Sequence, residues 1–338
     1  MKLFIYVFIL LPVIITFSSC RKSIPEPSEY PTTIHQTTPY NLTIPFGFPE
    51  MIIPDDNPLT VEGVNLGRKL YYDRILDKDS ARACASCHHQ DRAFQIDNGT
   101  QQVLPHVNFG WMTNYMWNGG FQGSLEDVMI FEVEVFFETK MERLNNSSTY
   151  KSLFKKAFNV DSISSKDAAY ALAQFARTMN SGNSKFDKFV SGSTLLTDQE
   201  LLGQQLFFTE KADCFHCHGT VFFTDYTPRN NGLDANPDAG LMEVTGDPKD
   251  LGKFKTPTLR NIALTSPYMH DGRFNTLEEV IDFYSGGVHN TSTVDPLMVY
   301  AHNGGVSLTP KEKEALIAFL KTLTDHEFLN NPQLSSPF

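Results

Sequence analysis

The sequence predicts a mainly α-helical protein made of two similar domains, and three observations support this prediction. A chain of 338 residues, 41% of them hydrophobic, is long enough for two domains and can bury a core in each. Alternating patterns typical of strands are scarce. A weak duplication relates the two halves, because Leu66-Gly67 and Leu202-Gly203 begin the same apolar pattern about one domain length apart.

Each half contains a predicted helix with a glycine inside it. A glycine costs a helix about 1 kcal/mol relative to alanine, so Gly67 and Gly203 are expected to allow the close crossing of another helix. Capping boxes begin predicted helices at Thr197, Thr276 and Thr309. The helix after Thr309 is the predicted partner of the Gly203 helix. Its apolar face consists of Leu316, Phe319, Leu320 and Leu323.

A further helix and a domain boundary are predicted in the middle of the chain. Ser164 or Ser165 is expected to cap the Ala-rich stretch 167–178. Gly and Ser cluster over 182–195, which indicates a boundary there. The predicted domains are therefore 51–188 and 189–338.

The N-terminal residues are typical of an export signal followed by a tether. Lys2 precedes a short apolar run and small residues that end at Cys20, as in bacterial lipoprotein signals where the cysteine becomes the lipidated N-terminus. The alternative is an ordinary signal peptide with an incidental cysteine. Residues 21–50 are rich in Pro, Ser and Thr. We therefore expect a signal peptide over 1–19, a lipid-anchored tether over 20–50, and a membrane-anchored lipoprotein in the periplasm.

The charge balance argues against nucleic acid as a partner. The chain has 28 Lys and Arg against 39 Asp and Glu, a formal net charge of −11, and no basic stripe.

Four of the five cysteines fall in two Cys-x-x-Cys-His strings. Two thiols one turn apart can bind the two vinyl groups of haem, and the next histidine is carried to the iron as an axial ligand. Zinc ribbons also use such cysteine pairs, but theirs lie about 15–20 residues apart, whereas more than a hundred residues separate these two. We therefore predict two cytochrome c-like domains with one covalent c-type haem each. The predicted haem-binding residues are Cys84, Cys87, His88, Cys214, Cys217 and His218.

Further motifs around these two strings make the chain closely resemble a known family. This family comprises the bacterial di-haem cytochrome c peroxidases and their relative MauG, which matures methylamine dehydrogenase. The N-terminal half matches from Leu66 to His88 and at Trp117-Asn-Gly119. The C-terminal half matches over longer strings. These are Phe223-Thr-Asp225, Asn231-Gly232-Leu233, Gly252-Lys-Phe-Lys-Thr-Pro-Thr-Leu-Arg-Asn261 and Ala263-Leu-Thr-Ser-Pro-Tyr-Met-His-Asp-Gly272.

The resemblance implies a division of labour between the two haems. Hydrogen peroxide would bind at the N-terminal haem, and the C-terminal haem would pass on electrons from a small redox protein such as a cytochrome c. Trp117 would help electrons cross between the haems, the alternative being a packed core residue. Many relatives are dimers, which leaves a homodimer open.

Glu138 matches the glutamate that moves protons above the peroxidatic iron in this family. A carboxylate there can take a proton from one peroxide oxygen and return it to the leaving oxygen. A one-residue insertion near Gly123 makes the alignment count uncertain, so Glu132, Glu134 and Glu142 remain competitors.

The resemblance also bears on the second ligand of each iron. Tyr284 matches the position where typical peroxidases carry a methionine and MauG a tyrosine, and Met269 is the alternative. A phenolate favours ferric and higher iron, whereas a thioether favours ferrous iron. His106 is open as a sixth ligand of the N-terminal haem or as a packed histidine, and we expect that haem to have an open position.

A calcium ion between the haems is also implied. The relatives bind it with one amide side chain and two backbone carbonyl groups. The amide position corresponds to Gln102, with Asn108 as the alternative. The carbonyl positions correspond to Thr265 and Pro267. Oxygen ligands suit calcium.

Three functions follow in order of expectation. The first is an exported di-haem cytochrome c peroxidase that reduces hydrogen peroxide to water. The second is a MauG-like oxidase that uses peroxide to oxidise a protein or small molecule, which Tyr284 favours. The third is a non-catalytic electron-transfer cytochrome.

Overall fold

The structure is a computed structural model that describes residues 35–96 and 102–338. The predicted signal peptide, Cys20 and the first part of the predicted tether lie outside the described residues. None of the helices in the described ranges is both long enough and apolar enough to cross a membrane.

Helices dominate the described residues, so the prediction of a mainly α-helical chain is confirmed. The α-helices are α1 (Val61–Tyr72), α2 (Leu125–Phe131), α3 (Met141–Asn146), α4 (Ser148–Phe158), α5 (Ser165–Ala176), α6 (Lys185–Val190), α7 (Asp198–Phe207), α8 (Phe215–His218), α9 (Met242–Thr245), α10 (Leu277–Gly286), α11 (Pro310–Lys321) and α12 (His326–Leu329). A π-helical turn, Glu132–Phe136, directly follows α2.

Two short antiparallel ribbons interrupt the helices. Strands β1 (Asn114–Tyr115) and β2 (Phe121–Gln122) form one of them, with Tyr115 opposite Phe121. Strands β3 (Pro228–Arg229) and β4 (Phe254–Lys255) form the other, with Arg229 opposite Phe254.

The predicted helix starts are present. Thr197, Thr276 and Thr309 each cap a helix through a reciprocal bond with the glutamate three residues later. Ser164, and not Ser165, caps α5, and its partner in the capping box is Asp167.

The helix crossings in the two halves have the same closest contact, between a glycine and an alanine carbonyl oxygen. A Cβ added to Gly67 of α1 would lie 1.9 Å from the carbonyl oxygen of Ala171 in α5. A Cβ added to Gly203 of α7 would lie 1.9 Å from the carbonyl oxygen of Ala315 in α11. The predicted close crossing is therefore confirmed in both halves, and α11 is the partner of α7 as expected.

The largest hydrophobic core is formed mainly by residues before the predicted boundary, and a second core is formed by residues after it. Leu70, Phe154 and Phe175 belong to the first, and Phe207 and Phe319 belong to the second. The last buried residue of the first core before the boundary is Met179, and the second core starts at Phe186. The Gly- and Ser-containing stretch separates most residues of the two cores, but Phe222 and Tyr226 from beyond it also belong to the first core.

The C-terminal residues that follow the second core in the sequence pack into the first core. Phe328, Leu329 and Leu334 are buried in the first core. Arg68 of α1 donates to the carbonyl oxygen of Ser335 at 2.7 Å, and the Tyr72 hydroxyl donates to that of Leu334 at 2.7 Å. The final residues of the predicted second domain, 189–338, thus pack with the first core.

Part of the predicted tether, 20–50, packs against the rest of the described chain. The Tyr40 amide donates to the Leu59 carbonyl oxygen at 3.0 Å. The Phe48 ring packs edge-on against Trp111 and Phe222, with ring centroids 5.4 and 5.0 Å apart. Aromatic residues among the prolines give this part of the segment apolar surface to bury, which its composition alone did not indicate.

Candidate haem-binding sites

The two Cys-x-x-Cys-His strings form equivalent tight turns. The His88 amide donates to the Cys84 carbonyl oxygen at 3.0 Å, and the His218 amide donates to that of Cys214 at 3.0 Å. The first string begins a 3₁₀ turn and the second forms α8. The cysteines of both strings are unpaired and half-buried. The two strings therefore share the hydrogen bond that closes the turn, although the helical geometry of the turn differs.

Both histidine rings are oriented by a backbone carbonyl a few residues later. His88 Nδ1 donates to the Phe94 oxygen at 2.7 Å, and His218 Nδ1 donates to the Phe223 oxygen at 2.8 Å. The two phenylalanines share a left-handed backbone, with φ of 57° and 53°. A carbonyl oxygen only accepts, so Nδ1 carries the hydrogen and Nε2 is left to bind a metal.

Burial sets the protonation states that a haem-binding turn needs. Loss of solvent lowers the pKa of His88 to about 4 and also lowers the pKa of His218. Both imidazoles are thus neutral at pH 7, as a metal ligand must be. Burial also raises the pKa of Cys214 to about 12 and that of Cys217 to about 11. Such surroundings disfavour the thiolates that zinc requires.

A largely apolar cavity of about 190 Å³ adjoins the C-terminal turn. Cys214, Cys217 and His218 line it, together with both predicted second ligands, Tyr284 and Met269. Burial raises the pKa of Tyr284 to about 12, so the free phenol keeps its proton at neutral pH.

The two predicted second ligands share one neighbour. The Asn231 amide nitrogen donates to the Tyr284 hydroxyl at 3.0 Å and lies 3.7 Å from the Met269 sulfur. Both side chains therefore converge on one part of the cavity wall, and one amide orients them.

Trp117 and Gln102 lie on the wall of the same cavity. Trp117 Nε1 donates to the Gln102 carbonyl oxygen at 2.7 Å. Gln102 Nε2 donates to the Thr265 carbonyl oxygen at 3.2 Å. Gln102 Oε1 is buried without a hydrogen-bond partner among the described residues. An unpartnered buried oxygen next to a carbonyl group fits a cation site.

Pro267 and Gln102 both lie beside Gly272. A Cβ added to Gly272 would lie 3.1 Å from Pro267 Cγ and 3.9 Å from Gln102 Cβ. The side chains of two of the three predicted calcium ligands are thus near the same glycine. Asn108, the predicted fallback, does not join them, because its side chain bonds the backbone of Ser181 through both amide atoms at 2.9 and 3.1 Å.

His106 packs against His88, the histidine of the N-terminal Cys-x-x-Cys-His turn. Its ring is stacked on that of His88, with centroids 3.5 Å apart and planes 19° apart, and its Nδ1 lies 3.1 Å from the Tyr71 hydroxyl. Stacking on His88 and the contact with Tyr71 occupy one ring face and Nδ1 of His106. The contact therefore favours the packed alternative for His106.

The four candidate glutamates differ in their surroundings. The Glu138 side chain is 51% exposed and pairs with Lys78, which lowers the pKa of its carboxyl group. Glu134 and Glu142 are exposed. Glu132 is half-buried on the π-helical turn, and loss of solvent raises its pKa to about 7. Its charge also raises the pKa of Cys84, so it is the glutamate beside the N-terminal attachment turn.

Sequence reasoning missed some residues that shape these sites. Phe94 and Phe223 were not identified as partners of the histidines, although a phenylalanine follows each Cys-x-x-Cys-His string and marks the duplication. Asn231 was noted only as part of a family motif. Its contact with Tyr284, 53 positions along the chain, has no local signal.

The described geometry agrees with comparisons with known proteins. A family model described as di-haem cytochrome c peroxidase matches residues 61–195. The methylamine utilization protein MauG of Methylorubrum extorquens is 31% identical over 290 residues, which cover 80% of each chain. The cytochrome-c peroxidase IdrP1 of a Pseudomonas species is 31% identical over 332 residues, covering 82% of this chain and 85% of the relative.

A solved structure is similar over nearly its whole length. It is described as a MauG-like protein associated with microbial copper homeostasis, is 32% identical, and superposes with a TM-score of 0.80 over 88% of this chain and 99% of its own. The family is one of c-type cytochromes with two haems, which the two attachment turns fit. The chain therefore belongs to the di-haem cytochrome c peroxidase and MauG family.

Proposed function

We propose that this chain is an exported di-haem peroxidase that reduces hydrogen peroxide to two waters with two electrons and two protons. Electrons would pass from a small redox protein to the C-terminal haem and then to the N-terminal haem. A haem iron with an open position supplies the site that binds peroxide and accepts electrons. The observation that carries the proposal is a half-buried carboxyl group, Glu132, beside the N-terminal attachment turn.

Glu132 would move the proton that the reaction needs. One peroxide oxygen has to lose a proton, and the other has to gain one so that it leaves as water. With a pKa raised to about 7, the Glu132 carboxyl group can both accept and return a proton near neutral pH. Glu138, the residue expected from the family alignment, is the alternative, although its carboxyl group is paired with Lys78 at the surface.

An open N-terminal iron is a second part of the proposal. Because the His106 ring stacks on the His88 ring, His106 would pack beside His88 and would not serve as the second ligand of a haem held there. The test is the optical and electron paramagnetic resonance spectrum of the fully oxidised protein. A high-spin signal from one haem is expected, and two low-spin haems would contradict it.

A MauG-like oxidase is the second candidate, and Tyr284 is the observation that favours it. Its hydroxyl faces the Asn231 amide in the C-terminal cavity, where a phenolate ligand would stabilise oxidised iron. This arrangement would make reduction by an ordinary cytochrome harder and the storage of oxidising equivalents easier.

One experiment distinguishes the candidates. The fully oxidised protein is mixed with hydrogen peroxide, with and without reduced cytochrome c, and both spectra and peroxide consumption are followed. Rapid consumption only with the reduced cytochrome supports the peroxidase. A long-lived spectral change of both haems without a donor supports the oxidase, and no peroxide reaction in either case would leave the electron-transfer cytochrome.

Calcium binding and membrane anchoring complete the proposal. Gln102, Thr265 and Pro267 would supply the oxygen ligands of a calcium ion beside Trp117.

Cys20 would carry the lipid that holds the protein at a periplasmic membrane surface. A homodimer would match the oligomeric state of many relatives.

A further inference from the structure

Lys255 is a buried lysine in β4. Only 3% of the residue is exposed. Its backbone amide donates to the Trp117 carbonyl oxygen at 2.7 Å, so the strand is held against the tryptophan on the cavity wall.

The ammonium group of Lys255 has no negative partner in the described part of the chain. Its Nζ lies 3.8 Å from the Met112 sulfur and 5.6 Å from the centroid of the Tyr226 ring. Within residues 35–96 and 102–338, no carboxylate forms an ion pair with it, and burial alone lowers its pKa to about 7. Buried cations in folded proteins are paired, so this position is suited to an anion that residues 35–96 and 102–338 do not supply.

The surroundings identify where that anion comes from. Lys255 lines the same cavity as Cys214, Cys217 and His218. Its charge also lowers the pKa of His106, which packs on His88 of the other turn. The ammonium group therefore lies at the C-terminal cavity on the side that faces the N-terminal turn.

We propose that the Lys255 ammonium group binds a propionate carboxylate of the C-terminal haem, on the edge of that haem directed toward the N-terminal site. A haem carries two propionates, which are ionised at neutral pH and have to be neutralised where they are buried. The backbone bond from Lys255 to Trp117 would then hold the tryptophan next to this edge. The proposal rests on the family's two haems and is independent of whether peroxide is reduced.

The test uses the full-length holoprotein and two readouts other than turnover. The reduction potential of each haem is measured by spectroelectrochemical titration, and the propionates are followed by resonance Raman and infrared difference spectroscopy. Lys255→Met removes the charge at similar length, and Lys255→Arg keeps it. The matched control is Lys253→Met, because Lys253 lies in the same segment but pairs with Asp250 at 2.9 Å.

In Lys255→Met we expect one of two results. The C-terminal haem becomes harder to reduce because a nearby positive charge is lost, or its propionate takes up a proton and a carboxylic acid band appears. Lys255→Arg and Lys253→Met should retain the wild-type potentials and bands.

Wild-type potentials and propionate bands in Lys255→Met would overturn the proposal, as would a change confined to the N-terminal haem or an equal change in Lys253→Met. Should the methionine variant not accumulate with haem, Lys255→Gln is measured in the same way, since it loses the charge but can still donate a hydrogen bond. Peroxide turnover tests the proposed function separately.

Discussion

The Cα of Gly203 lies so close to the backbone of Ala315 that a methyl group at this position would overlap the alanine carbonyl oxygen, at 1.9 Å. The next nearest atoms are the Ala315 carbonyl carbon and Phe319 Cβ, at 2.6 and 2.8 Å, so no flexible side chain can give way. Gly67 meets Ala171 in the same manner in the first half. In each half, the close distance between the two crossing helices thus depends on a glycine, which has no Cβ, at the crossing point.

The first prediction concerns this contact. Gly203→Ala should destabilise the holoprotein by at least about 1–3 kcal/mol, the usual cost of overpacking a core, because α7 and α11 have to move apart. Denaturant unfolding followed by far-ultraviolet circular dichroism measures the effect. The control is Gly286→Ala in α10, where an added Cβ meets no atom within 4 Å. Equal stabilities of the two variants would show that the crossing tolerates a side chain.

The second prediction separates the two glutamates. Glu132→Gln should keep both haems and lose about 10²–10⁴-fold in peroxide turnover, the usual contribution of a positioned acid–base group. Glu138→Gln is the matched control and should stay near wild type, because its carboxyl group pairs with Lys78 at the surface. Steady-state rates with reduced cytochrome c provide the measurement. The opposite ranking would assign the proton transfer to Glu138.

The third prediction is a pH profile. Glu132 accepts the peroxide proton only when ionised, and its pKa is raised to about 7. The rate of the wild-type protein with peroxide should therefore fall as the pH drops through 7, and Glu132→Gln should abolish this dependence. Stopped-flow mixing between pH 5 and 9 tests it, and a profile shared by both proteins would exclude Glu132 as its origin.

The fourth prediction concerns the second ligand of the C-terminal iron. Tyr284→Met should raise the reduction potential of that haem, because a thioether favours ferrous iron more than a phenolate does. Met269→Leu should leave the potential and the optical spectrum nearly unchanged. If Met269→Leu instead alters the low-spin spectrum while Tyr284→Phe does not, Met269 is the ligand.

The fifth prediction tests the calcium site. Gln102→Leu should lower the calcium content of the purified protein, because it removes the unpartnered amide oxygen and keeps the backbone carbonyl that accepts from Trp117. Gln205→Leu, at an exposed position of α7, is the control and should retain calcium. Metal content is measured by mass spectrometry after dialysis against a chelator. An unchanged content in Gln102→Leu would remove this residue from the ligand set.

Much of the fold could be predicted because its signals are local. The capping boxes that begin α7, α10 and α11 are four-residue patterns, and each Cys-x-x-Cys-His string is a contiguous turn. The role of Gly203 could be inferred because a helix tolerates such a residue only for a packing reason.

The rest depends on contacts between distant residues. The family alignment identified Glu138, whereas the structure places Glu132, on the π-helical turn after α2, beside Cys84. No pattern in the sequence indicates a π-helical turn. The burial of Lys255 beside an apolar cavity depends on β4, Met112 and Tyr226 meeting in space. Such sites become visible only when the tertiary packing is known.

The return of Phe328, Leu329 and Leu334 to the first core has a consequence for biogenesis. These residues follow the whole second haem-binding region in the chain, so the amino-terminal half lacks part of its interior until synthesis has passed that region. Packing of the amino-terminal half would then be completed only after the downstream half has been synthesised.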